Sequence, residues 1–383
     1  MSVEDFVGKM QRIQNVLLEF LENESEAKDK YSDFIKTITN EKIIEDKHKF
    51  KLLLRLLNNI GNNHHRVHNF INKIELLLKG FKKDIENYFS NAEIFELFGN
   101  NKRIFLFLIE EKMIIVDEHI LYQNMGNNNY IEYFAPEIKP FIDGEFFTKY
   151  CKEHPRFDKE SFIEKVTKEI STDFYDKRRE GENDDYLCRL IRLGKVEEFI
   201  SFVEQSNISL EINTPKSIFE TNEVLYTFHP KLIEYAAFHG SNDIIKYMQM
   251  KGVELTSDIW IHAIHSQNAE LIQILEDNRI PPPFEHIEGI LCESIKCHHK
   301  EISNYILEYL IKKENLQNNI DKKYDVNLYR HAFEFDNYSF FPDNIKYKNM
   351  FFYLCEFDYY SLVKLYLEEE NIDINAKSII QIY

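Results

Sequence analysis

Residues 231–255 read KLIEYAAFHGSNDIIKYMQMKGVEL, two short helical patterns joined by a tight turn at Gly240 and ended at Gly252. Apolar residues recur at helical spacing on both sides of the turn, with Ile244, Ile245 and Met248 following it. The same layout appears in DYLCRLIRLGKVEEFISFVEQSNISLE (185–211), IWIHAIHSQNAELIQILEDN (259–278) and FFYLCEFDYYSLVKLYLEEENIDINAK (351–377). In these copies the turn falls at Gly194, Ser266 and Tyr359. Weaker copies occupy 93–117, with Gly99 at the turn, and 290–313. Ala237, Ala263 and Ser294 share one slot, with Cys355 further on. Irregular repeats near 30 residues predict a helical solenoid.

Ahead of the repeats, Val3, Phe6, Val7, Met10, Ile13, Val16, Leu17, Phe20 and Leu21 form one apolar stripe at 3.6-residue spacing. Further helical patterns cover about 27–39, 41–59 and 67–89, and strict two-residue alternation is scarce. The expected class is therefore all-α. A helical bundle is expected over 1–90 and a repeat array of about six helix pairs over 91–383, with an insertion around 314–348.

Composition narrows the function. The chain has 383 residues, 47 Lys+Arg against 65 Asp+Glu, a net charge of −18, and only 11 glycines. No two glycines lie closer than Gly240 and Gly252, so no GxGxxG, no GxxxxGK[ST] loop and no GxSxG elbow is present. The acidic balance argues against nucleic acid and against anionic membranes, both of which need a basic footprint. No apolar run reaches the length of a membrane span, and the opening MSVEDFVGKM has no leader pattern. Five scattered cysteines fit reduced thiols in a cytoplasmic protein. The richness in Phe, Tyr, Ile, Asn and Lys reads as codon bias rather than function.

The 231–255 stretch resembles the ankyrin repeat, TPLHxAAxxGHxxVVxxLLxxGA. Ala236, Ala237 and Gly240 sit on its AAxxG, Ile244 and Ile245 on its VV, and Gly252 on the glycine ending the second helix. In that repeat the alanines let neighbouring first helices approach, and the glycine closes the turn at positive φ. The other copies put Leu190-Ile191, His262-Ala263 or Leu354-Cys355 at the small positions, and none carries TPLH. Only Gly252–Asp258 separates two units, so reduced hairpins are expected. The whole chain is similar to a large family of divergent ankyrin-like proteins expanded in parabasalid protists of the Trichomonas type. NNHHR (62–66), NKIELLL (72–78), FSNAEIFELF (89–98), NKRIFLFLIEEKMIIVD (101–117), RREGENDDYLCRLIR (178–192) and NYSFFPDNIKYKNMFFYLCEFDYY (337–360) carry it. The family implies an ankyrin-like solenoid used as a protein-interaction scaffold. Its longer members continue into regular repeats, whereas this chain stops at IIQIY without a polar capping helix. It is thus expected to be a short member, or to have its end covered by a partner.

The function expected is non-enzymatic binding of an unidentified protein partner through a concave groove. Phe238, His239 and His265 are the candidate contacts, joined by Tyr235 and Arg192, since positions after the small pair line that groove in ankyrin arrays. No cofactor and no metal are expected. One alternative is a metal-dependent hydrolase or metalloprotein using His64, His65 and His68, whose i, i+4 pair could share an ion; no carboxylate lies between Gly61 and Ile74. Another is self-assembly through the C-terminal repeat. Cys292, Cys297, His298 and His299 superficially suggest zinc, but lack a second distant pair and fall on an inter-helix turn. Arg178–Asp185 reads as a solvated lead-in that caps the helix starting near Asp185, and Trp260 as core.

Overall fold

The computed structural model describes residues 2–23, 28–65, 67, 69–125, 127–283, 288–314, 328–342 and 350–369. Among these the regular structure is helical, apart from one antiparallel bridge between Asn213 and Lys231. The all-α class is therefore observed. No described helix is long and apolar enough to cross a membrane.

One turn recurs in the repeat copies. Gly194, Gly240, Gln267, His298, Asp336 and Asp358 all have positive φ. The amide after each donates to the carbonyl five residues before it, from Lys195 to Leu190, Ser241 to Ala236, and Asn268 to Ala263. His299 to Ser294, Asn337 to Ala332 and Tyr359 to Leu354 complete the set. Each positive-φ amide also bonds the carbonyl three residues back. This is the Schellman arrangement, which satisfies the last carbonyls of the first helix and reverses the chain for the second. The turn register aligns Ala236, not Ala237, with Ala263 and Ser294, and Leu354 rather than Cys355. The positive-φ positions of the third and last copies are Gln267 and Asp358, each one residue from the expected turn residue.

The chain divides into two compact units, residues 1–74 with 255–383, and residues 75–254. Neither cut falls at the expected boundary near residue 90. In the unit of residues 75–254, helix pairs Tyr186–Arg192/Val196–Ser206 and Leu232–Phe238/Asn242–Met250 pack first helix on first helix and second on second. Ala236 and Ala237 are fully buried, which permits that approach. Asp185 caps the amides of Leu187 and Cys188, as expected. Arg178, however, is buried rather than solvated, paired with Glu137 at 2.7 and 3.0 Å. Gly99 joins helices Asn91–Phe98 and Lys102–Glu110, but in right-handed conformation.

The other unit combines both ends of the described chain. Helices Val3–Glu22, Lys28–Asn40 and Lys47–Asn63 share this unit with pairs Ile259–His265/Ala269–Asp277, Glu288–Lys296/Lys300–Glu314 and Met350–Glu356/Tyr360–Glu369. Val3–Glu22 and Lys47–Asn63 pack on Tyr360–Glu369. The helix expected from residue 41 begins at Lys47, because Asp46 accepts from the amides of His48 and Lys49. The pattern at 67–89 splits into Phe70–Gly80 and Lys82–Tyr88. The expected insertion at 314–348 holds another copy: residues 328–334 are helical, Asp336 makes the turn, and a 3-10 helix follows at Tyr338–Phe340. Asp336 is fully buried and accepts from Arg55 Nε (3.0 and 2.8 Å), Asn59 Nδ2 (2.8 Å) and Tyr359 OH (2.7 Å). Gln14 likewise donates to Asn337 Oδ1 at 3.0 Å and accepts from the Tyr338 amide at 2.7 Å. The N-terminal helices thus close on the turn of a C-terminal repeat.

Candidate functional site

The expected groove contacts are placed as follows. Tyr235 is fully buried, Phe238 is 7% exposed and His265 is 1% exposed. These three are core side chains, which corrects the expectation that they face a partner. The reason is local: a seven-residue first helix turns most of its surface onto neighbours, and every residue of Leu232–Phe238 is buried. His239 is half-buried, its ring 4.5 Å from that of Tyr235. Arg192 bonds Asn183 O at 3.0 Å, Tyr235 OH at 3.4 Å and Glu180 at 2.6 Å. On these helix pairs, exposed apolar side chains include Leu193 at the turn (55%) and Met250 at a helix end (85%). Trp260, expected in the core, is buried, and its indole N–H donates to Ile280 O at 2.9 Å.

A second group of polar residues lies in the unit of residues 1–74 and 255–383. Helix Lys47–Asn63 ends at His64, and the turn at His298 places His299 at the start of Lys300–Glu314. The His64 ring centroid lies 4.5 Å from that of His65 and 4.6 Å from that of His299, and His65 and His299 are 5.2 Å apart. One ligand nitrogen from each of the three lies within 4.8 Å of the others. His68 lies outside the described residues.

Hydrogen bonds fix two of these rings. His64 Nδ1 meets Cys297 O at 2.7 Å and so carries a proton, while Nε2 faces Glu22 Oε1 at 2.9 Å. His299 Nε2 meets His265 O at 3.3 Å and donates to it, leaving Nδ1 with a bare lone pair. Neither His299 Nδ1 nor His65 Nδ1, both buried, has a hydrogen-bond partner among the described residues. Burial, reinforced by the charge of His64 and opposed by Glu22, pushes His65 down to about 4. Burial, with His64 and His65, holds His299 well below the usual imidazole range. Both rings are neutral at pH 7. Burial raises the Glu22 carboxyl, but the hydrogen bond and charge of His64 outweigh it and the net shift is down.

A neighbouring triad is His265, Glu293 and Cys297. His265 Nε2 lies 2.6 Å from Glu293 Oε1, and Cys297 Sγ lies 3.4 Å from His265 Nδ1. Lys296 sits 3.5 Å from the same carboxylate oxygen. Complete burial pushes the Cys297 thiol up, so it is no nucleophile at neutral pH.

The histidine group joins halves of two motifs that are each unremarkable alone, HH at 64–65 and CHH at 297–299. The legible signal was a pair of HH doublets in one chain; their distance in sequence concealed their contact. No family model matches the chain, and neither a curated protein nor a solved structure matches it.

Proposed function

We propose that the chain is a non-enzymatic protein-binding module of ankyrin-like helix pairs. The observation supporting this reading is the repetition: six copies of one turn, each reversing a first helix into a second. Arrays of such units present their turns and helix ends as side-by-side binding positions, with specificity in the exposed side chains. With Tyr235, Phe238 and His265 buried, the contact positions on this reading are Leu193, His239 and Met250. An apolar anchor such as Met250 suits a binding surface, being flexible and adaptable.

The test is affinity capture with the full chain and with Leu193→Asp/Met250→Asp, followed by mass spectrometry and by reconstitution of each hit from purified proteins. The expected result is a saturable complex that the double variant loses while its thermal unfolding matches wild type. An undiminished complex would remove this surface, and no complex with any purified hit would remove the reading.

A further inference from the structure

We propose that Glu22, His64, His65 and His299 form a closed zinc-binding site. Four features of the side chains support it. First, three imidazoles converge with one nitrogen each inside 4.8 Å, against donor separations of about 3.3 Å in a tetrahedral zinc site. Rotation of the His65 ring about χ2, a soft torsion, narrows that difference, since no backbone carbonyl among the described residues holds it. Second, the outer N–H groups of His64 and His299 donate to backbone carbonyls, those of Cys297 and His265. Metal-ligating histidines are oriented in this way, which leaves Nδ1 of His299 as the inner donor; Nε2 of His64 bonds Glu22 and would give up its proton to an ion. Third, His299 is 1% exposed and its Nδ1 has no partner among the described residues, nor has Nδ1 of His65. A buried nitrogen without a partner is destabilising, and coordination of an ion would satisfy it. Fourth, the Glu22 carboxylate lies 2.9 Å from Nε2 of His64, outside the group of three converging nitrogens, and rotation of its partly exposed side chain would bring an oxygen in as the fourth donor.

That set is the choice of a borderline divalent ion, and four protein ligands leave no open position for substrate. The role is structural, a clip between residues 22, 64–65 and 299. Glu22, with its side chain 39% exposed, gives the ion its way in. The adjacent His265–Glu293–Cys297 triad is a poorer host, because Lys296 lies 3.5 Å from its carboxylate as a competing cation.

The test uses the untagged full chain, stripped with chelator and titrated with Co²⁺ and then Zn²⁺. The expected result is one Co²⁺ per chain, with tetrahedral visible bands and no thiolate charge-transfer band in the near ultraviolet. Zn²⁺ should displace it and raise Tm. His299→Gln and His65→Gln should each weaken Zn²⁺ binding at least 100-fold, the partly exposed Glu22→Gln at least tenfold, and Cys297→Ser less than threefold. If the histidine variants do not fold, the wild-type spectrum and Glu22→Gln still decide. No stoichiometric uptake by the folded chain overturns the site. So does a thiolate band, loss of binding in Cys297→Ser, or binding that His299→Gln leaves unchanged.

Discussion

Single side chains in this protein owe their roles to which neighbour covers them. Phe238 follows the small pair, where an ankyrin-like helix would show a contact residue, yet it is buried. Phe238→Ala should therefore lower unfolding stability by about 3 kcal/mol, measured in urea; a change under about 0.5 kcal/mol would return it to the surface. Glu293 makes a second case. Burial would raise its carboxyl, but the hydrogen bond and charge of His265, with Lys296, bring it down to about 2. A depressed carboxyl contributes its stability in full above about 4.5 and loses it as pH falls toward 2. Glu293→Gln should cost on the order of 3 kcal/mol at pH 5, with the difference from wild type vanishing near pH 2. Acid titration of both proteins by circular dichroism reads this directly. Sequence could supply neither result: helical periodicity names the buried stripe of a long helix, but a seven-residue helix enclosed on most sides leaves the pattern nothing polar to contrast with.

At the scale of elements, the turns were legible and their register was not. Glycine marks only Gly194 and Gly240 among the six turns that follow a first helix of a described repeat copy; glutamine, histidine and aspartate take the rest. The same bonds close further turns at Lys42, Lys112, Gly252 and Arg279. A non-glycine residue there costs about 1 kcal/mol of strain, and glycine costs a similar amount in chain entropy elsewhere. The copy ending in Asp336 was hidden for a further reason, since its second element is a three-residue 3-10 helix with no period to detect. Gly240 has open space where a Cβ would stand, so Gly240→Ala should lose about 1 kcal/mol from backbone strain alone. Gln267→Gly should gain up to about 0.5 kcal/mol, strain relief being offset by entropy. Paired chemical denaturation curves test both signs.

For the whole molecule, sequence order misled because compactness here does not follow it. The amphipathic helix at the start was legible from its stripe, but nothing in a stripe names its partner. Arg55, Asn59 and Gln14 find theirs at residues 336–338, through side-chain bonds spanning up to 324 positions. Removing residues 1–74 should therefore leave Asp336 buried without its guanidinium, a defect worth several kcal/mol. A chain of residues 75–383 should show hydrogen-exchange protection over 75–254 and little over 255–369. Equal protection across both would contradict this.

That discontinuity also sets an order in time. A ribosome releases the first 74 residues long before residue 336 exists, at roughly 5–20 residues per second. The apolar faces of Val3–Glu22 and Lys47–Asn63 then wait on the order of 10 s or more for the repeats that cover them, while residues 75–254 can fold in the interval. The last unit to finish is the one that begins first. Its nascent N-terminal helices are the segment on which holding chaperones would act, and slowing synthesis between residues 75 and 254 would lengthen that exposure.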